Sequence, residues 1–218
     1  LRVTLVLYSL GLIHALLTIF TRRAKLFNFA LGAISLGAVF HLVSIVEEAV
    51  EMHHFPVTNF HQSVSFLAFS ITCTFLIAYW RYKFEALSVF TFPLVFMLTL
   101  AAAIGFAPSP QNPLLRSGWL YVHVLLLFAG YAMLFVTFVA GLMYILQERE
   151  LKSKKPRSFY HRLPPLEQLD DLAHKTLALH ALSDPPKGIT LNVGVVSGGQ
   201  TVNTVAPWAR GEVDLRFI

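Results

Sequence analysis

Charge is scarce in this chain. Asp, Glu, Lys and Arg together make up 13% of it, hydrophobic residues make up 56%, and the mean hydropathy is +0.62. That balance excludes an ordinary soluble domain and points to an integral membrane protein. Cysteine is nearly absent: Cys73 stands alone inside an apolar run. An internal disulfide, a CxxC redox centre and a cysteine zinc site within this chain are therefore excluded. No phosphate-binding loop is present either, because Gly198-Gly199 is a turn signal that does not lead from a strand into a helix. No cleavable signal peptide is evident, and the chain opens at Leu1, so an incomplete N-terminus is expected.

What the chain has is long apolar runs. Five can be counted, at roughly Val3–Phe20, Leu26–Val46, Val64–Trp80, Ala86–Phe106 and Leu120–Leu146. Each is near or above the ~20 residues that cross a bilayer as a helix. The net charge of +5 would suit a nucleic-acid partner if it were concentrated, but the basic residues sit in short clusters between runs. Arg22, Arg23 and Lys25 follow the first run, Arg81 and Lys83 the third, and Arg149, Lys152, Lys154, Lys155 and Arg157 the fifth. The second loop carries Glu47, Glu48, Glu51 and the histidine-rich segment from His53 to His61, and the fourth is proline-rich with only Arg116. The positive-inside rule then predicts an outside N-terminus and basic loops in the cytoplasm. The histidine and proline loops face out, in the cytoplasmic (inner) membrane of a bacterial-type cell. No nucleic-acid partner is implied; the surrounding partner is lipid.

Histidine inside a span is costly unless it finds a partner. His123 lies four residues into the last run, about 6 Å from its outer end, and His41 lies about 7 Å from the outer end of the second. Histidine nitrogen commonly holds porphyrin iron, and an outer-leaflet position suits an apolar macrocycle with charged propionates. The pair could thus flank a heme. Equally, each could be a polar side chain hydrogen-bonded to a neighbouring helix. His14 lies deeper, without an evident companion. In the loop from Phe55 to Ser63, Thr58 or Asn59 could help cap a ligand pocket or could simply cap the third helix.

After Lys155 the character changes. Pro164-Pro165 introduces an amphipathic stretch, Leu166–Leu179, expected as a short cytoplasmic helix along the membrane. Beyond Asp184 the pattern predicts strands at Ile189–Val196, Gln200–Val205 and Glu212–Phe217. The fold class is therefore an all-α polytopic membrane protein of about five transmembrane helices, with a short cytoplasmic β-rich α+β fragment at its C-terminus.

Several motifs resemble the CcsA/ResC family of system II cytochrome c assembly proteins. They are Pro56-Val57-Thr58-Asn59 through Ser65-Phe66, Trp119-Leu120-Tyr121-Val122-His123-Val124, and Gly130-Tyr131-Ala132. Ala140-Gly141-Leu142-Met143-Tyr144, Gln147-Glu148-Arg149 and Leu163-Pro164-Pro165-Leu166-Glu167 follow in order. The resemblance covers roughly residues 1–175. It implies a heme-handling protein that, with a ResB-type (Ccs) membrane partner, brings heme to the outer face for attachment to apocytochrome c. His123 matches the family's first outer heme-ligand histidine, and so is the one metal ligand implied. Trp119 and Asn59 stand in the matching motifs and are placed with the cofactor, alongside His41. The family also has further spans, a tryptophan-rich WWD motif and a second outer ligand histidine. Here the only tryptophans are Trp80, Trp119 and Trp208. A truncated chain is expected, and whether it takes part in attachment chemistry is left open.

Leu177–Ile218 is similar to part of the dimerisation (lid) domain of carboxypeptidase G and aminoacylase-type zinc metallopeptidases. The stretches that carry this are Gly194 to Gly199, Asn203-Thr204-Val205-Ala206-Pro207 and Glu212 to Arg216. The metal ligands of such enzymes belong to a domain absent here, so no peptidase activity is expected. The domain plan is 1–157, a transmembrane heme-handling domain; 158–180, an amphipathic connector; and 181–218, a lid-like segment. Two alternatives remain at this level: a non-catalytic fusion or truncation remnant, and a metallopeptidase-related adaptor.

Overall fold

The computed structural model describes residues 1–21, 24–53, 56–104, 118–152, 164–181, 190–198 and 209–216. It is mostly helical: α1 (Arg2–Thr21), α2 (Ala24–Met52), α3 (Phe60–Tyr82), α4 (Leu87–Ile104), α5 (Gly118–Lys152) and α6 (Leu166–Ala181), followed by β1 (Thr190–Gly198) and β2 (Ala209–Arg216). Four helices are long and apolar enough to cross a membrane, over Leu26–Met52, Phe60–Tyr82, Leu87–Ile104 and Tyr121–Arg149; α1 supplies a shorter apolar stretch, Arg2–Thr18. Together they make a multi-pass membrane protein. Contacts divide the chain into two compact units, Leu1–Ala132 and Met133–Ile218.

Helix limits differ from the apolar runs, most clearly around the α2–α3 connection and at the end of α5, for a physical reason. Hydropathy marks where lipid ends, whereas capping and propensity mark where a helix ends. α2 continues through Glu47, Glu48 and Glu51 to Met52, because Glu, Ala and Met are good helix formers in water. The backbone then breaks at His53, with φ 56°. α3 starts at Phe60, before its apolar run, because the Asn59 side chain caps it by accepting the Gln62 N–H at 2.9 Å. Its other end closes on Lys83, in the left-handed region with φ 59°, whose N–H donates to the Tyr79 carbonyl at 2.8 Å.

In the first unit α1, α2, α3 and α4 pack consecutively, and α1 also packs on α4, so the four form a closed bundle. Short connections make neighbours antiparallel, and the side-chain pairs show it. Tyr8 meets Gly37 and Gly11 meets Ile34 between α1 and α2. Phe27 meets Tyr79 while His41 meets Ser65 between α2 and α3. Phe75 and Phe92, with ring centroids 5.0 Å apart, join α3 to α4. The core includes Tyr8, Phe27, Ile34, Phe75, Leu87, Phe92 and Val95, all essentially inaccessible. Lipid is as apolar as these side chains, so close packing rather than water exclusion holds such helices together, and small residues make it feasible. Gly37 and Gly11 supply the room: a Cβ on Gly37 would lie 2.6 Å from the Tyr8 ring, and one on Gly11 would lie 2.7 Å from Ile34. Most buried hydroxyls are satisfied within their own helix, as with Thr72 to the Ala68 carbonyl (2.8 Å), Thr91 to Leu87 (2.9 Å) and Thr99 to Val95 (2.7 Å).

In the second unit α6 begins on Pro165, whose carbonyl accepts the N–H groups of Gln168 and Leu169. Its buried stripe is Leu169, Leu172 and Thr176, at spacings of three and four. The Thr176 hydroxyl meets that of Thr137 on α5 at 2.6 Å. The amphipathic helix expected from the sequence thus turns part of that face to α5. β1 and β2 pair antiparallel from Thr190 with Arg216 to Gly198 with Ala209, with a bulge between Val193 and Val195. The strand expected at Gln200–Val205 lies outside the described residues.

The glycines give a paired test. Gly37→Ala should lower the stability of the detergent-purified protein by about 1–3 kcal/mol through overpacking. Gly32→Ala, where a Cβ meets nothing within 4 Å, should stay within about 0.5 kcal/mol of wild type. Thermal unfolding of the two variants side by side measures the difference.

Candidate functional site

Polar side chains inside the first unit collect near the end of the bundle where α2 hands over to α3. The deeper cluster centres on His41, which is 0% exposed. Gly37 precedes it by one turn on the same face of α2, and the Tyr8 ring rests there. From that seat the Tyr8 hydroxyl lies 3.3 Å from His41 Nδ1, and on the opposite side Ser65 Oγ lies 2.9 Å from Nε2. A neutral imidazole has one N–H and one lone pair, and a hydroxyl can donate or accept, so either tautomer is served. The ring is further held edge-on by Tyr8 and Phe69, at centroid distances of 5.8 and 5.7 Å.

The shallower cluster centres on Gln62, 3% exposed and one turn before Phe66. Its amide nitrogen donates to Glu48 Oε1 at 2.8 Å and contacts Met52 Sδ at 3.1 Å; its oxygen accepts from both the backbone N–H and the hydroxyl of Thr58 at 2.9 Å. One side chain therefore ties the last turns of α2, the connecting loop and the first turn of α3. Gln62 is not among the residues expected at the site from sequence. Its signal was a glutamine three residues past a capping asparagine, which also marks a helix start.

Of the residues expected at the site, Asn59 is the α3 cap and its oxygen is committed to the Gln62 N–H. His61 Nδ1 lies 3.3 Å from the Ala101 carbonyl of α4. His53 is exposed, and His54 lies outside the described residues. His14 bonds the Leu10 carbonyl of its own helix at 2.8 Å. Trp119 is the second residue of α5, and His123, one turn on, is half-buried. α5 meets α3 through Phe128 and Phe66, edge to face at 5.3 Å. Consecutive spanning helices alternate direction, so α5 runs in the same sense as α3. Counted along the two helices, His123 lies five residues before Phe128 and Gln62 four before Phe66, a rise of about 6–8 Å above the ring pair in each case. Beneath that level Phe66, Phe69 and Phe128 form a continuous aromatic layer.

The described residues contain no group of three or more His, Cys, Asp or Glu side chains that could hold a metal ion. A porphyrin needs less: an axial nitrogen and an apolar, aromatic surface. His123 and the layer below it have that chemistry. His41, as folded, presents neither ring nitrogen to a ligand, because both face hydroxyls within bonding distance.

Residues 57–183, more than half of the chain, match the cytochrome C assembly protein family. The chain belongs to that family. Among curated relatives, a cytochrome c biogenesis protein CcsA of Picosynechococcus sp. is 27% identical over 145 residues, covering 62% of this chain and 43% of that protein. The CcsA of Parasynechococcus marenigrum is 28% identical over 179 residues, 70% of this chain and 56% of its own length. That of Crocosphaera subtropica is 30% identical over 105 residues, 46% and 31% respectively. The chain thus spans about half the length, or less, of these relatives. No solved structure matches. Asn59, Gln62, Trp119, His123 and α6 fall within the family match; Tyr8, Gly37 and His41 precede it.

Gln62→Leu should remove the donor of Glu48 and the acceptor of Thr58 together. An expected loss of about 1–3 kcal/mol follows from stranding partly buried polar groups, with faster proteolysis of the 53–59 loop. Limited digestion of the purified protein reads the second effect directly.

Proposed function

We propose that this chain binds heme through His123 and presents it at the outer face of the membrane during cytochrome c assembly. The observation that carries the reading is the place of His123: a half-buried histidine one turn into a spanning helix, above the Phe66–Phe128 contact. Its presence within the family match, and the names of the CcsA relatives, support the same reading. Heme here is cargo, and its iron supplies the axial coordination site by which the chain holds it. The chain's own residues do the rest. His123 supplies one axial nitrogen, and the aromatic layer excludes water from the apolar edge of the ring. Trp119 stands one turn before His123 on the same helix and belongs with it to the cofactor site. Asn59 and Gln62 hold Thr58 and the start of α3 in place at the end of the bundle. One histidine leaves the second axial position to another segment or subunit, consistent with work alongside a ResB-type membrane partner and with delivery to apocytochrome c.

Five spans belong to this proposal, with α1 as the first, an outside N-terminus, and the inner membrane as location. The basic residues after α1, α3 and α5 support this orientation. With Cys73 replaced by Ser, single cysteines introduced as His53→Cys and Lys83→Cys should react oppositely with a membrane-impermeant thiol reagent added to intact cells or spheroplasts. The first should label and the second should not; the reverse pattern would invert the topology.

For heme, the chain purified from membranes should show a Soret band that His123→Ala abolishes and added imidazole partly restores. A wild-type chain with no band, either as purified or after hemin addition, would sink the proposal and favour a remnant without heme chemistry.

A further inference from the structure

We infer that His41 is a positioning residue for the His123 site, and not an iron ligand. This role rests on the heme reading above and adds to it a residue that lies outside the family match.

As a ligand, His41 would turn one nitrogen to iron and give up its bond to Tyr8 or to Ser65, in a helix interface where no water replaces that bond. As folded it loses nothing, because Tyr8 lies 3.3 Å from Nδ1 and Ser65 lies 2.9 Å from Nε2. The ring is also closed off, at 0% exposure, between Tyr8 and Phe69. An imidazole bonded on both edges to two other helices fixes those helices in rotation and depth. Here they are α1, through Tyr8 over Gly37, and α3, through Ser65.

The effect reaches α5 through rings in contact. His41 packs on Phe69 at 5.7 Å, Phe69 neighbours Phe66 at 6.3 Å, and Phe66 meets Phe128 at 5.3 Å. Ser65 is the residue next to Phe66, so the hydrogen bond that turns α3 also aims the ring that meets α5. Phe128 lies on α5 just over one turn below His123. Rotation of α3 on loss of the Ser65 bond would therefore tilt the aromatic layer against which a porphyrin bound at His123 rests. Packed cores pass on such shifts because they have few voids to absorb them.

The test uses the full chain in detergent with hemin as the probe, read by Soret position and by affinity in titration. His41→Leu should keep the band, shift its position and bind hemin severalfold more weakly. His41→Gln, whose amide restores a donor and an acceptor, should recover most of both. Tyr8→Phe and Ser65→Ala keep the shape of the core and should each give a smaller shift in the same direction, so the test survives if His41→Leu does not fold. Wild-type position and affinity in the His41, Tyr8 and Ser65 variants would overturn the inference while leaving the heme reading intact. Loss of the band in His41→Leu, as in His123→Ala, with rescue by imidazole, would also overturn it by making His41 a ligand. A wild-type chain that gives no band overturns the heme reading and this role together, which separates the two failures.

Discussion

The His41 imidazole, bonded on one edge to Tyr8 and on the other to Ser65, is the constraint on which the first unit turns. Lipid offers no alternative partner for a polar group, so a histidine within a helical bundle must be satisfied by the bundle itself. That requirement is directional, whereas apolar packing is not. In the arrangement found, α3 places the Ser65 hydroxyl against Nε2. Gly37 belongs to the same constraint, since the Tyr8 ring reaches His41 only where α2 has no side chain in its way.

Among the described buried polar side chains of the first unit, two patterns of bonding stand out. Thr72, Thr74, Thr91 and Thr99 return their hydroxyls to carbonyls one turn earlier in their own helices, which satisfies them without specifying any neighbour. His41 and Gln62 bond across helices and so determine who packs where. They sit at successive levels near the α2–α3 loop, His41 deeper and Gln62 nearer the loop. These two cross-helix clusters thus lie toward the end of the bundle where His123 enters on α5. The part of the chain that carries the family match begins in this loop and ends just past α6.

Much of this was legible in the chain itself. Apolar runs bounded by charge marked the spanning helices, since an apolar stretch of that length is the length a bilayer requires of a helix. The resemblance of the Pro56–Asn59 and Trp119–Val124 segments to a cytochrome c assembly family agrees with the family match. Pro164-Pro165 and the amphipathic pattern of Leu166–Leu179 marked α6. Helix limits were less legible. The three glutamates before His53 look like loop in the sequence, because charge ends a hydrophobic run but does not end a helix.

The sequence by itself determined the class and the succession of apolar helices, because these follow from composition and period along the chain. The resemblance set His123 apart as the implied metal ligand, but nothing along the chain showed what His41 bonds. That came from tertiary structure. Tyr8 lies 33 residues before His41 and Ser65 lies 24 after it, and no local pattern announces that their hydroxyls will converge on one ring. The antiparallel register, set by the Gly37–Tyr8 contact, brings them there. It leaves His123 as the half-buried histidine of the pair.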